Sequence, residues 1–243
     1  MIDARARRHG LLAVELAALT LSGAVVFTAV SRFRPDALAS ATVHESAGVA
    51  GVLWLGTVGY LFHSLDAVDA PGAPTLGAAN SVTVARAALF CVAGGFVVAA
   101  PTEWVAWAPA ACYGAGVALD RVDGHVARTV GRETPLGRRL DMAVDTLGFV
   151  VAPVVAVVWG QLPVWYLSLS AARYVYRGLT ALRRLRGRPL APLPDGGLSR
   201  HLAGGQMVFL TLALSPLVSP AVVFAVAPAA LAPSLAEIGR AHV

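Results

Sequence analysis

The chain has 243 residues, of which 57% are hydrophobic and only 14% are charged. Soluble domains carry about 25% charged residues, so this composition excludes an ordinary soluble protein and favours an integral membrane protein. All 19 basic residues are arginines, and the net charge at pH 7 is +5. The arginines occur in short groups between apolar segments rather than on one basic arm, which argues against a nucleic-acid-binding protein.

Apolar segments follow one another along the whole chain. The sequence predicts membrane-spanning helices at residues 11–30, 46–64, 80–100, 104–129, 137–159, 162–182, 200–217 and 220–238. The clearest linker is residues 69–74, where two prolines and a glycine interrupt the pattern. We therefore predict an all-α, polytopic membrane helical bundle, with a two-helix N-terminal extension in residues 1–70 and six helices in residues 71–243.

The placement of the arginines predicts the orientation in the membrane. One group precedes the first span, a second lies in residues 121–139, and a third lies in residues 183–188. With eight spans these groups fall on the same side, whereas the opposite loops hold only Arg32 and Arg34. Basic loops are retained in the cytoplasm, so we expect a protein of the cytoplasmic membrane whose residues 121–139 face the cytoplasm.

The most informative segment is an ordered set of four carboxylates in residues 120–145. Asp120 and Asp123 are three residues apart, and Asp141 and Asp145 are four apart, so on helices each pair shares one face. Two helix ends that each present two carboxylates can converge on a hard divalent cation such as Mg²⁺. The plainer interpretation is a solvated acidic loop, but such a loop does not require this spacing.

This segment resembles the signature of the CDP-alcohol phosphatidyltransferase family, D-x2-D-G-x2-A-R-x8-G-x3-D-x3-D. Each fixed position of that signature is present, namely Asp120, Asp123, Gly124, Ala127, Arg128, Gly137, Asp141 and Asp145. The resemblance covers roughly residues 75–243. It implies a catalytic core of six membrane helices in residues 71–243, to which the first two helices are an addition that the chemistry does not require.

The resemblance also implies the reaction and the metal site. A phosphatidyl-type group passes from a CDP-linked lipid, such as CDP-diacylglycerol or its ether-lipid equivalent, to an acceptor alcohol, and CMP leaves. Asp120, Asp123, Asp141 and Asp145 are expected to hold Mg²⁺ or Mn²⁺, with two ions at the site. Asp145 is also expected to be the catalytic base that takes the proton of the acceptor hydroxyl.

Nucleotide binding is expected at the small and basic positions of the same segment. Gly124 lacks a side chain, so a nucleotide can approach the helix backbone there, and Ala127 extends that surface. Arg128 is a fixed cation suited to the diphosphate. Gly137 permits either close helix packing or a turn with positive φ.

A second, looser resemblance lies at the start of the third predicted span. Asn80, Thr83 and Arg86 match the N-x2-T-x2-R start of the family's first core helix, and Asn80 and Thr83 are expected to face the nucleotide. The alternative interpretation is a helix cap at Asn80 and an interfacial arginine at Arg86.

The acceptor site is predicted from arginines near the later spans. Arg173, Arg177 and Arg200 together form a candidate anion site for a small anionic or zwitterionic alcohol. Tyr174 stands where glycerophosphate-using relatives have a glutamate, which favours serine or inositol phosphate over glycerol phosphate. The alternative is that the three arginines only anchor the topology.

Other functions are kept open by the sequence. A soluble CDP-linked head group as donor and a lipid alcohol as acceptor would use the same signature. A cation transporter also places carboxylates in the membrane, although it would distribute them over several helices near the midplane. A membrane scaffold would tolerate shuffling of the acidic segment. The expected partners are membrane lipid and these substrates, with no nucleic acid, and a homodimer is left open.

Overall fold

The computed structural model describes residues 41–66, 77–130, 134–187 and 197–240, together with a few helical positions between residues 10 and 20. This part of the chain is helical, with no strand. In chain order its α-helices are α1 (Ala41–Asp66), α2 (Gly77–Gly95), α3 (Ala108–Val130), α4 (Pro135–Val158), α5 (Ser168–Leu185), α6 (Gly197–Ala213) and α7 (Pro220–Arg240). The expectation of an all-α protein is confirmed for these residues.

Several helices begin or end at prolines that the predicted spans had run through. A short 3₁₀ helix at Glu103–Ala106 precedes α3, which starts afresh with Pro109 in its first turn. The 3₁₀ helix Val164–Leu167 likewise precedes α5 and follows Pro163. Helix α6 ends at Ala213, because Pro216 disfavours helical backbone in the residue before it and lacks a donor N–H.

Three helices have the length and apolar character needed to cross a bilayer. They are His44–Leu65, Ala79–Val98 and Pro135–Val158, with 22, 20 and 24 residues. At 1.5 Å per residue each is at least about 30 Å long, the thickness of the hydrocarbon core. Two shorter apolar helices occupy His201–Ala213 and Pro220–Ala236. The protein is thus an integral membrane protein, and the number of eight spans stays a prediction, since the segment 11–30 lies mostly outside the described residues.

Helix α2 is the centre of the bundle and packs against α1, α3 and α4. Its Phe90 is fully buried between two glycines. A β-carbon at Gly116 on α3 would lie 2.5 Å from one edge of the Phe90 ring, and one at Gly148 on α4 would lie 2.8 Å from the opposite edge. The missing side chains therefore let both helices close on the ring.

The contact between α1 and α2 also depends on glycines. A β-carbon at Gly94 would lie 2.6 Å from Cδ1 of Leu53, and one at Gly95 would collide with the carbonyl oxygen of Ser46. Close backbone approach at small residues is a common way for helices to associate in membranes, where the hydrophobic effect does not drive them together. Helix α1 is therefore fitted onto the core rather than loosely attached to it.

The last helices are joined by a buried amide. Gln206 on α6 accepts a short hydrogen bond from the hydroxyl of Tyr166. Its Nε2 donates to the carbonyl oxygen of Ala230 at 2.5 Å and to Oγ of Ser234 at 3.1 Å, both on α7. This satisfied polar group fixes the register of α6 against α7 within an otherwise apolar contact.

Candidate functional site

The cap of helix α4 sets the position of two of the predicted carboxylates. Thr134 is the N-cap residue, and its Oγ1 accepts a hydrogen bond from the backbone N–H of Gly137 at 3.0 Å. Pro135 opens the helix, where its missing N–H costs nothing. Asp141 and Asp145 follow on successive turns of one face, as their spacing predicts.

A buried arginine joins these carboxylates to α3. The side chain of Arg86 on α2 is 0% exposed. Its Nη1 donates to Oδ1 of Asp141 at 2.7 Å, and its Nη2 donates to Oδ1 of Asp145 at 2.8 Å. Nη2 also lies 2.7 Å from Oδ1 of Asp120 on α3. One guanidinium therefore bridges the three helices.

The charges of this cluster do not cancel. Burying an arginine is costly unless carboxylates hold it with good geometry, which these three do. Three carboxylates against one guanidinium leave a formal charge of about −2. The side chains of Asp120 and Asp145 are 32% exposed and that of Asp141 is 50% exposed, so their outer edges are accessible. An accessible, oxygen-rich cluster with this excess charge is suited to a divalent cation.

The donor set fits such an ion. One carboxylate oxygen each from Asp120, Asp141 and Asp145 lies within 4.8 Å of the others. The contacts with Arg86 use Oδ1 of each aspartate, and an ionised carboxylate has two oxygens that accept. Mg²⁺ and Mn²⁺ prefer such hard oxygen ligands. The side chain of Asp123, the fourth predicted ligand, lies outside the described residues.

Gly137 and the predicted nucleotide residues of α2 lie beside this cluster. A β-carbon at Gly137 would be 2.7 Å from Oδ1 of Asn80, so close packing rather than a positive φ explains this glycine. Asn80 and Thr83 are both buried. The Oγ1 of Thr83 donates to the carbonyl oxygen of Ala79 at 3.2 Å.

The structure corrects the alternative interpretation of this stretch. Asn80 lies within the first described turn of α2, three residues after Gly77, so it is not the helix cap. Arg86 is not an interfacial arginine, because it is fully buried against three aspartates. It is the site residue that sequence reasoning left out. Its signal was present in the Asn80-x2-Thr83-x2-Arg86 spacing, but the sequence does not show which charge a buried arginine meets.

For the remaining predicted site residues, the structure describes only which helix they belong to. Gly124, Ala127 and Arg128 lie in the last two turns of α3, on the segment that follows Asp120. Of the arginines predicted to bind the acceptor, Arg173 and Arg177 lie one turn apart on α5, and Arg200 lies in the first turn of α6. Their roles stay predictions.

Comparison with known proteins gives one result that bears on this site. The family described as CDP-alcohol phosphatidyltransferase matches residues 76–233, which is more than half of the chain. The match begins just before α2 and includes Arg86 and the three clustered aspartates, whereas α1 precedes it. No curated protein and no solved structure matches the chain.

Proposed function

Because the chain belongs to the CDP-alcohol phosphatidyltransferase family, we propose that it transfers a phosphatidyl-type group from a CDP-linked lipid to an acceptor alcohol and releases CMP. The observation that carries this proposal is the convergence of Asp120, Asp141 and Asp145 on one face of the bundle around the buried Arg86. A cation-transport function is disfavoured, because a fixed arginine occupies the centre of the acidic cluster.

The substrate's charge explains why such a cluster is useful. A CDP-linked lipid brings a diphosphate, which carboxylates alone would repel. Divalent metal bound by Asp120, Asp141 and Asp145, with Asp123 as a further ligand, would supply charge neutralisation of that diphosphate and of the departing CMP. Arg86 holds the three carboxylates in place, and Arg128 is proposed to contact the diphosphate from the end of α3.

The transfer step is a substitution at phosphorus. The hydroxyl oxygen of the acceptor forms a bond to the phosphorus that carries the lipid, and the bond from this phosphorus to the CMP oxygen breaks. The hydroxyl proton passes to a carboxylate oxygen of Asp145. Its side chain is 32% exposed, so an acceptor can reach it, while its Oδ1 stays oriented by Arg86 at 2.8 Å.

The residues proposed to bind the two substrates lie on α2 to α6. Gly124, Ala127 and Gly137, with Asn80 and Thr83, are proposed to border the nucleotide. Three arginines of the later helices, Arg173, Arg177 and Arg200, are proposed to bind the anionic group of the acceptor, with serine or inositol phosphate favoured. The site is proposed to face the cytoplasm, where CDP-linked precursors are made.

The decisive experiment measures product with purified protein in lipid nanodiscs. CDP-diacylglycerol is incubated with Mg²⁺ or Mn²⁺ and a panel of acceptors, including serine, inositol phosphate and glycerol phosphate. CMP release and lipid mass spectrometry report the reaction. We expect acceptor-dependent CMP release that stops in excess chelator and returns when the metal is restored.

A second arm tests transfer in the other sense. CDP-choline with diacylglycerol replaces the donor and acceptor in the same nanodiscs. If CMP appears only in this arm, the protein transfers a head group rather than a phosphatidyl group. If CMP release continues unchanged in excess chelator, the proposed metal-dependent site is wrong.

A further inference from the structure

An apolar cavity of about 440 Å³ lies between α1, α2 and α4. Its walls include Val52 and Leu61 of α1, Val84 of α2, and Leu140 and Leu147 of α4. This volume falls within the range of about 300–1,000 Å³ that is typical of small-molecule sites. Leu16 near the N-terminus and Tyr174 of α5 also line it. The α1 wall precedes the part of the chain that matches the family.

The polar side chains in the wall do not make the cavity hydrophilic. Thr57, Thr83 and Thr146 all line it. Each hydroxyl donates to the carbonyl oxygen four residues earlier in its own helix, at distances of 2.9, 3.2 and 2.7 Å. Tyr60 and Tyr174 add aromatic rings to the same wall. With the three threonine hydroxyls paired and the rest of the wall mainly apolar, the cavity is better suited to a hydrocarbon than to water or to the polar acceptor.

One end of the cavity is beside the acidic cluster. Leu140 immediately precedes Asp141, and Thr83 lies about one turn before Arg86. The other end is deeper in the bundle, since Leu53 of the wall lies against Gly94, two turns beyond Arg86. The cavity thus runs from the level of the carboxylates along the helices toward the apolar interior.

The length of the cavity matches one leaflet of a membrane. On α1 the lining residues run from Val52 to Leu61, which is about 14 Å along a helix. Half of the hydrocarbon core is about 15 Å thick. A lipid whose phosphate sits at the carboxylates would therefore place a tail along this wall.

We propose that this cavity binds one alkyl chain of the CDP-linked lipid donor, and that α1 serves as its outer wall. The inference rests on the proposed function, since it needs a lipid donor at the aspartates. It leaves intact the expectation that the chemistry does not require residues 1–70, but it gives α1 a role in recognition of long-chain donors.

A glycine on α1 makes the cavity testable. Gly56 lines the cavity, and a β-carbon there would meet nothing within 4 Å, so the position has open space into which a larger side chain can extend. Gly59 on the same helix is equally open but does not line the cavity. Gly56→Leu and Gly59→Leu therefore make a matched pair, with the same gain in helix propensity.

The pair is compared using dioleoyl and dihexanoyl CDP-glycerolipids in mixed micelles. We expect Gly56→Leu to raise the donor KM about tenfold for the dioleoyl lipid, since the new side chain displaces methylenes of the alkyl chain from the cavity. The KM for the dihexanoyl lipid should change little, and Gly59→Leu should resemble the wild type with both donors. An unchanged dioleoyl KM in Gly56→Leu, at an unchanged melting temperature, overturns the proposal.

Photocrosslinking provides a readout that does not need turnover. A CDP-diacylglycerol with a diazirine near the end of one chain should label the deep end of the cavity, residues 52–57 and 143–147, in wild-type protein, and unlabelled donor should compete. Equal labelling by a diazirine phosphatidylcholine, without competition, would show a site for bulk lipid and overturn the donor assignment. If neither donor yields CMP in wild type but labelling is specific, the proposed reaction fails and the lipid site stands.

Discussion

Arg86 and Phe90 lie one turn apart on α2 and join the same three helices by opposite means. Arg86 binds Asp120, Asp141 and Asp145 through charge-assisted contacts of 2.7–2.8 Å. One turn deeper, Phe90 fills the space between Gly116 and Gly148 with no polar contact to either glycine. The first layer depends on charge and the second depends on shape.

The difference shows how the two layers divide their tasks. The glycine layer sets how closely α3 and α4 approach α2, and a shape fit of this kind resists change because interiors are densely packed. Within the charged layer, Arg86 orients the three carboxylates at the spacing that the glycine layer sets. The side chain of Asp141 is still about 50% exposed to solvent. The site is therefore rigid on its inner side and accessible on its outer side, which suits the proposed binding of a metal and a diphosphate.

The largest expected effect comes from removing a carboxylate of the charged layer. Asp145→Asn keeps the shape but removes both the proposed base and a proposed metal ligand, so turnover should fall by about a hundredfold to ten-thousandfold. Glu45→Gln on α1 is a matched control, since Glu45 is an exposed carboxyl outside the cluster. CMP release and thermal melting of both variants are measured. Equal activity in the two variants would contradict the assignment of Asp145.

Replacing the arginine of the charged layer should affect stability and turnover together. Arg86→Met leaves three carboxylates without their shared cation, which should destabilise the protein by about 2–4 kcal/mol. This is somewhat less than the usual cost of breaking a buried ion pair, because the aspartates are partly exposed to solvent. Mg²⁺ should then raise the melting temperature more in Arg86→Met than in wild type, since the ion substitutes for the lost charge.

Arg86→Lys is the matched comparison. An ammonium retains the charge but lacks the fork that reaches separate carboxylates, so stability should recover more than turnover. Full recovery of turnover in Arg86→Lys would mean that only the charge matters and that the bridging geometry does not.

The glycine layer should respond to added volume rather than to charge. Gly116→Ala places a β-carbon about 2.5 Å from the Phe90 ring, and overpacking of this kind costs about 1–3 kcal/mol. Phe90→Leu in the same protein should relieve much of that cost, so the two changes should be non-additive in a double-mutant cycle. Additive melting temperatures would show that the ring does not set the spacing of α2 and α3.

The smallest effect on turnover is expected far from both layers. Gln206→Ala leaves the hydroxyl of Tyr166 and a backbone carbonyl without their partner, which should cost about 1–3 kcal/mol of stability. This substitution touches neither the charged layer nor the glycine layer, so turnover below the melting temperature should stay within about twofold of wild type. A loss of turnover comparable to that of Asp145→Asn would show that α6 and α7 control the site.

The sequence by itself determined that the protein is a helical membrane protein, and it identified the aspartates of the site but not the arginine between them. Apolar segments predict membrane helices because backbone polar groups must be satisfied within the bilayer. The spacing of Asp120, Asp141 and Asp145 predicts carboxylates on common helix faces, and the signature that contains them identified the family, which the match over residues 76–233 confirms. These features are local, so periodicity and spacing are sufficient to find them.

Only the tertiary structure decided what stands between those carboxylates. Arg86 is 34 residues in sequence from Asp120, the nearest of the three aspartates that it contacts, and nothing local distinguishes a buried bridging arginine from an interfacial one. The fit of Phe90 between Gly116 and Gly148, and the cavity that α1 closes against α2 and α4, are likewise contacts between distant segments. Such contacts depend on how closely helices approach, and that distance is set by packing in three dimensions.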